Sequence, residues 1–308
     1  MIVVFGSLGV DIITPVDRLP RPGENLVGRS YALRAGGKGA NQAVAAARAG
    51  STVLFFGRVG EDDFAHRITN ALIEANIDIT GVLTTQEEPT GCTSVSVDKN
   101  GETYSVSAAC ANLTSKAEQV PNNLLLPSTL LLLQTELTEE ENWILLDRAK
   151  VNGCRVVVNA SPPAFIPPTI LRKIDILVTS EMEAAELDVM LGIMAESPED
   201  FARAITFRTG GDCVVVLGPT EGALLASPGS VWRFEGFAVE VADMTGAMDS
   251  FCGTLAACLD EGLNIMDAVQ RANISGAIAS MGLGAQESLP SRKVIEEWVQ
   301  HAPPAKRV

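Results

Sequence analysis

An aspartate set at the start of a helix behind a glycine turn can take a proton beside an anion. The segment VADMTGAMDSFCGTLAACL, Val241 to Leu259, has this form: Thr245, Gly246 and Ala247 lead into a helix whose first residue is placed at about Asp249. The first N–H groups of a helix have no intrahelical acceptor and carry the positive end of its dipole. They can hold charge on a phosphoryl group in flight while the Asp249 carboxylate accepts the proton of an attacking hydroxyl. Taken alone, the same pattern also describes an ordinary helix start with an acidic first turn.

A second cluster is GGKGANQAVAAARAG, Gly36 to Gly50, where glycines open a helix. Glycine lets backbone approach a ligand closely, and the helix N–H groups behind it attract oxygen ligands. This is not a Walker A loop, because Ala32 stands where that pattern needs glycine and Lys38 is followed by Gly39. Nor is GSLGVD, Gly6 to Asp11, a dinucleotide fingerprint, which argues against an NAD-dependent oxidoreductase. The only histidines are His66 and His301, so acid and base work falls to carboxylates or lysines. Six cysteines are scattered without a CxxC pair, which excludes a zinc or disulfide framework; Cys252 and Cys258 read as small buried hydrophobes.

These groups need a scaffold. Short runs of Val, Ile and Leu at Ile2–Phe5, Thr52–Phe56, Leu130–Leu133, Arg155–Val158, Ile174–Val178 and Cys213–Leu217 predict buried strands. Helical stretches lie between them: Ala40–Ala49, Asp62–Ala75, Glu139–Val151, Glu181–Leu187 and Pro198–Arg208. That alternation predicts a parallel sheet covered by helices on both faces. Two more polar regions break it, Thr14–Arg34 and Gly91–Ala108, the latter a hairpin around an Asn100-Gly101 turn. Together they are expected to form a small separate sheet over about 12–34 and 91–110 that could act as a lid, or as a dimer surface because its edges need partners, with ordinary surface hairpins as the alternative. From Asp249 onward the pattern is helical until PPAKRV, which is expected to fray.

A length of 308 residues with 46% apolar content suffices for a sizeable core, here read as one domain over 1–308. A formal charge of −15 repels nucleic acid and anionic membrane, so any phosphate site must be local. The opening MIVVFGSLGVD lacks the features of a signal peptide and no run is long enough to span a bilayer, so a cytoplasmic location is expected.

The glycine cluster and the TGAMD turn, taken together, resemble those of the ribokinase-like (PfkB) family of carbohydrate kinases. Weaker motifs extend the resemblance along nearly the whole chain: GSLGVD, RPGEN (Arg21–Asn25), GRVGEDDF (Gly57–Phe64), LLLQTEL (Leu131–Leu137), NASPP (Asn159–Pro163), SEMEA (Ser180–Ala184) and GAQESLP (Gly284–Pro290). The cluster and the GAQESLP ending are most similar to those of ribokinases. The resemblance implies a three-layer α/β/α domain with a small β lid, and transfer of the γ-phosphoryl of ATP to a small sugar, with ribose or a related pentose the leading expectation. It places Asp11, Gly37, Lys38, Asn41 and Glu136 around the sugar and makes Asp249 the base, with Gly246, Ala247 and Met248 in the anion hole. Ser180 and Glu183 would organise phosphate and, indirectly, Mg²⁺; Leu217, Gly218 and Asn273 would hold the nucleotide; Asp243 and Ser288 would help bind a monovalent cation such as K⁺. The Glu136 assignment also has a physical basis, since a carboxylate accepts from vicinal hydroxyls and the carboxyl end of a parallel strand is where such sheets bind ligands.

Four positions depart from the family pattern. Met248 stands in place of a glycine, Gly9 in place of an asparagine, Ser180 in place of the asparagine of NExE, and Cys110 in place of a lid glycine. A methionine at position 248 is costly if the backbone there has positive φ and harmless if it is helical. Two other readings stand beside the sugar kinase: a nucleoside kinase, for which the two tyrosines Tyr31 and Tyr104 offer little stacking surface, and a catalytically weak sugar- or nucleotide-binding regulator, motivated by Met248 and Ser180.

Overall fold

The computed structural model describes residues 1–99 and 102–308; the Asn100-Gly101 turn expected from sequence lies outside them. In chain order the first half contains β1 (Ile2–Phe5), β2 (Gly9–Pro15), β3 (Ala32–Gly36), α1 (Lys38–Arg48), β4 (Val53–Gly60), α2 (Asp63–Glu74), β5 (Asp78–Thr85), β6 (Gly91–Val97) and β7 (Thr103–Ala108). Then follow β8 (Leu130–Gln134), α3 (Glu139–Val151), β9 (Arg155–Asn159), α4 (Pro168–Leu171), β10 (Ile176–Ser180), α5 (Glu181–Leu191), α6 (Pro198–Thr209) and β11 (Asp212–Gly218). The chain closes with β12 (Gly222–Ser227), β13 (Ser230–Phe234), α7 (Ala247–Asp260), α8 (Ile265–Ala279), α9 (Ala285–Ser288), α10 (Arg292–Val299) and β14 (Lys306–Arg307).

A ten-stranded sheet runs β14-β13-β12-β11-β10-β9-β8-β1-β4-β5, parallel from β11 to β5 and antiparallel from β11 to β14. Side chains alternate across a strand, so consecutive apolar residues serve opposite faces. In β1, Ile2 and Val4 enter one core with α1, α7 and α8, while Val3 and Phe5 enter the other with α3, α5 and α6. This is why the central strands read as unbroken apolar runs, and it makes the fold three-layered α/β/α. A glycine permits the closest helix contact: a Cβ on Gly253 of α7 would lie 2.3 Å from the Gln42 carbonyl oxygen of α1.

The second sheet has four strands in the order β3-β2-β6-β7. It begins at Gly9 and extends to Gly36, beyond the boundaries expected from sequence, while 16–31 between its first two strands contains no strand. Strands β5, β12 and β13 were not anticipated. The end of the chain is not frayed: Lys306 and Arg307 pair with β13, whose outer edge would otherwise leave its backbone groups unpaired.

Candidate active site

Helix α7 begins at Ala247, two residues earlier than expected, because Gly246 at φ 81° supplies a left-handed turn into it. Met248 therefore has helical backbone and carries no conformational penalty, which removes one motive for reading the protein as a weak binder. The Ala247 N–H donates to the Met244 carbonyl at 3.2 Å. Among the described residues the N–H groups of Gly246, Met248 and Asp249 have no acceptor.

Asp249 is buried, at 6% exposure, and each of its oxygens accepts from an amide: Oδ2 from Asn41 Nδ2 and Oδ1 from Gln42 Nε2, both at 3.0 Å. Burial pushes its pKa up, opposed by the Lys38 ammonium and the two amides. Burial works to lower the pKa of Lys38, but Asp249, Glu136 and Glu183 together raise it, so it stays charged. Two neutral amides and a nearby cation thus offset part of the cost of burying this carboxylate.

On one side lies a cavity of about 630 Å³, walled by Ser7, Gly9, Gly37, Lys38, Thr93, Asn112, Glu136 and Glu183 among others. Glu136 follows β8; it accepts from the Ser7 hydroxyl and, at 3.0 Å, from the Lys38 N–H. The first N–H groups of α1 are therefore largely taken by the protein's own oxygens, with Gly39 N–H donating to Ser7 Oγ at 3.3 Å and Ala40 N–H to Ser7 O at 3.0 Å. Asp11 and Asn41 stand beside this cavity but are not among its walls. The Asp11 carboxyl is raised to about 6, chiefly by burial, with Thr93 donating to it and the Glu136 and Asp249 charges adding to the rise.

On the other side a groove of about 390 Å³ is lined by Ser180, Leu217, Gly218, Met244, Ala247, Met248 and Asn273. Asn273 is buried and donates to the Glu235 carbonyl at 2.9 Å. Ser180 and Glu183 separate the two spaces. They form a capping box at the start of α5, in which Glu183 Oε2 accepts from Ser180 N–H at 2.9 Å and Ser180 Oγ accepts from Glu183 N–H at 3.2 Å. Ser161 donates to the other Glu183 oxygen. A serine at 180 caps the helix as well as an asparagine would, so this departure has a local structural role.

Asp243 and Ser288 meet on one turn. Asp243 accepts from Thr245 N–H at 2.9 Å and Gly284 N–H at 2.8 Å, and Ser288 Oγ donates to the Gly284 carbonyl at 2.7 Å. Gly9 is confined: a Cβ there would lie 2.9 Å from the Gly91 carbonyl of the paired strand β6, so an asparagine would require that strand to move. Cys110 has φ 47°, the left-handed conformation in which glycine is unstrained.

Sequence reasoning missed Gln42, Gln134, Asn159 and Gln286. Gln42, Gln134 and Asn159 are fully buried, and Gln286 Nε2 donates to Asn41 Oδ1 at 3.1 Å. A usable signal existed: a carboxamide inside an alanine-rich helix, or closing the run LLLLQ, is a buried polar group that needs a partner.

Two adjoining spaces beside one buried carboxylate can seat two substrates for direct transfer between them, an arrangement that suits a phosphotransferase with an alcohol acceptor. Comparison with known proteins takes this further. The family model described as pfkB family carbohydrate kinase matches residues 1–292, and the chain belongs to that family. A ribokinase from Haemophilus influenzae is 32% identical over 305 residues, covering 98% of this chain and 99% of the relative. The structure of ribokinase from Thermotoga maritima superposes with a TM-score of 0.89 at 31% identity, covering 97% of this chain and 99% of that one. The structure of Arabidopsis thaliana ribokinase complexed with ribose and ATP gives 0.85 at 28% identity, covering 97% and 98%. Among the described residues no helix is long and apolar enough to cross a membrane.

Proposed function

We propose that this chain phosphorylates a primary hydroxyl of ribose or a closely related pentose with ATP, in the cytoplasm, using Asp249 as the base. The supporting observation is the Asp249 carboxylate, buried at the head of α7 with Lys38 nearby and both oxygens oriented by amides. The sugar occupies the cavity by Glu136, with Asp11, Gly37, Lys38 and Asn41 contributing. The nucleotide lies in the groove, whose largely apolar wall of Leu217, Met244 and Met248 suits a base and whose Gly218 and Asn273 border the ribosyl end. Asp249 takes the hydroxyl proton as the oxygen attacks the γ-phosphorus in line and ADP departs. The N–H groups of Gly246 and Met248 stabilise the charge on the transferred phosphoryl group, while that of Ala247, expected to join them, is already given to the Met244 carbonyl.

Mg²⁺, when bound, neutralises charge on the phosphate oxygens. Ser180 and Glu183 fit an indirect role toward it, because both Glu183 oxygens already accept from serines and would act through water. Asp243 and Ser288 would support K⁺, since carboxylate and hydroxyl oxygens retain free lone pairs beside the 284 turn. The four-stranded sheet would serve as lid and, through the edge strand β7 with Tyr104 and Val106 each 59% exposed, as a homodimer surface. ATP consumption by the purified protein against pentoses, hexoses and nucleosides, with Mg²⁺ and with or without K⁺, tests the reading. Turnover with ribose that disappears in Asp249→Asn supports it; turnover confined to nucleosides or hexoses replaces the acceptor.

A further inference from the structure

We propose that Gln42 is a positioning residue for the base, its side-chain amide fixing the Asp249 carboxylate relative to the central sheet. The proposal rests on the reading of Asp249 as the proton acceptor. Gln42 sits in the first turns of α1 and is completely buried. Both hydrogens of its Nε2 are used, one toward Asp249 Oδ1 at 3.0 Å and one toward Asn159 Oδ1 at 2.9 Å. Its Oε1 accepts from Gln134 Nε2 at 2.9 Å, which dictates the end of the amide that faces Asp249.

Gln134 and Asn159 are directly paired residues at the carboxyl ends of the neighbouring strands β8 and β9. Two strand ends thus grip one amide, and that amide grips the carboxylate on α7. Gln134 Oε1 itself has no partner and is pressed against Gly6, where a Cβ would lie 2.2 Å away. Leaving a buried acceptor unpaired costs about 1–3 kcal/mol, and apolar side chains of similar volume would leave no such orphan. Packing alone therefore does not account for the amides.

The groups that face Asp249 are Lys38 of α1, Glu136 after β8, Asp11 of β2 and Cys252 one turn along α7. Lys38 is the one cation in this set, and after it the Gln42 and Asn41 amides are the groups that oppose the effect of burial on the carboxylate. Removing the Gln42 donor has two consequences. The carboxylate gains rotational freedom, which lowers the fraction of aligned encounters, and its charged form loses a hydrogen bond, which moves the ascending limb of the pH–rate profile to higher pH.

The test compares the full-length wild type, Asp249→Asn, Gln42→Leu and Asn159→Ser in steady-state kinetics across pH with ribose and Mg-ATP. Gln42→Leu is expected to lower kcat on the order of 10- to 100-fold, with KM for the sugar within about twofold and the acid limb raised by roughly one pH unit. Asn159→Ser, which never touches Asp249, should shift both in the same direction by less. If Gln42→Leu fails to fold, Asn159→Ser carries the test alone. Loss of kcat with an unmoved acid limb, or KM rising in step with it, reduces Gln42 to a packing residue and overturns the proposal. A wild type without ribose turnover, or an active Asp249→Asn, overturns the underlying base reading instead, whatever the Gln42 variants do.

Discussion

Asn41 Nδ2 donates to Asp249 Oδ2 across 3.0 Å, joining α1, which opens on the cavity beside Glu136, to α7, which carries the proposed base. The two α-helices also pack closely at Gly253, where a Cβ would lie 2.3 Å from the Gln42 carbonyl oxygen. Asp249→Asn keeps the size of the side chain and removes the carboxylate, at the cost of setting its Nδ2 against one of the two amide donors. Its turnover should fall by roughly 10²–10⁴-fold, while calorimetry with the sugar shows nearly unchanged affinity. Turnover close to wild type would remove Asp249 from the mechanism.

Asp11 supplies a pH dependence of opposite origin. Its carboxyl is raised from 3.8 to about 6 by burial, so the folded protein holds a proton there that the unfolded chain releases. Stability from this group is therefore present below 3.8 and is lost as pH rises through about 6. Sugar hydroxyls donating to the ionised form would reverse the preference. Sugar KM should accordingly fall as pH rises through about 6 and lose that step in Asp11→Asn; an unchanged profile in the variant would detach Asp11 from the sugar.

Met248 has helical backbone and lines the groove proposed for the nucleotide. Met248→Gly then relieves no strain and removes apolar wall, so KM for ATP should rise several-fold, in the range of about 1 kcal/mol of lost contact, with sugar KM unmoved. A gain in kcat would instead reveal that the methionine obstructs the phosphoryl group.

Cys110 holds a left-handed φ of 47° just after β7 of the four-stranded sheet. Cys110→Gly should raise stability in urea by about 0.5–1 kcal/mol, the relief of strain exceeding the entropy gained by the unfolded chain. A loss of stability would mean that the thiol's contacts outweigh its backbone cost.

Much of the scaffold was legible because buried parallel strands must be apolar on both faces, as in Leu130 to Leu133, whose residues alternate between two cores. β5, DITGVLTT, was not, because it closes the sheet at one edge and most of its residues are partly or fully exposed, leaving no run to read. The hairpin of β12 and β13 escaped for another reason: GALLAS is buried, but a short apolar run after β11 has no helix behind it to mark the alternation. At the site, Asp249 behind its glycine turn, the glycine cluster at 36–39 and Glu136 at a strand end had a reading from residue type and position, whereas Asp11, Lys38, Glu183 and Asp243 were reached through the family resemblance. The amides that orient Asp249 did not, since Gln42, Gln134 and Asn159 are far apart in sequence and acquire meaning only when β8, β9, α1 and α7 converge.

The capping box at Ser180 and Glu183 stands as a partition between the two spaces, presenting the serine to one and the carboxylate to the other. On the proposed assignment of sugar and nucleotide, acceptor and donor preferences would be written on different surfaces of one wall. A lineage could exchange one sugar for another by changes at Gly9, Thr93 or Asn112 without retuning its nucleotide, and a protein engineer grafting a new acceptor pocket could leave everything behind that wall untouched.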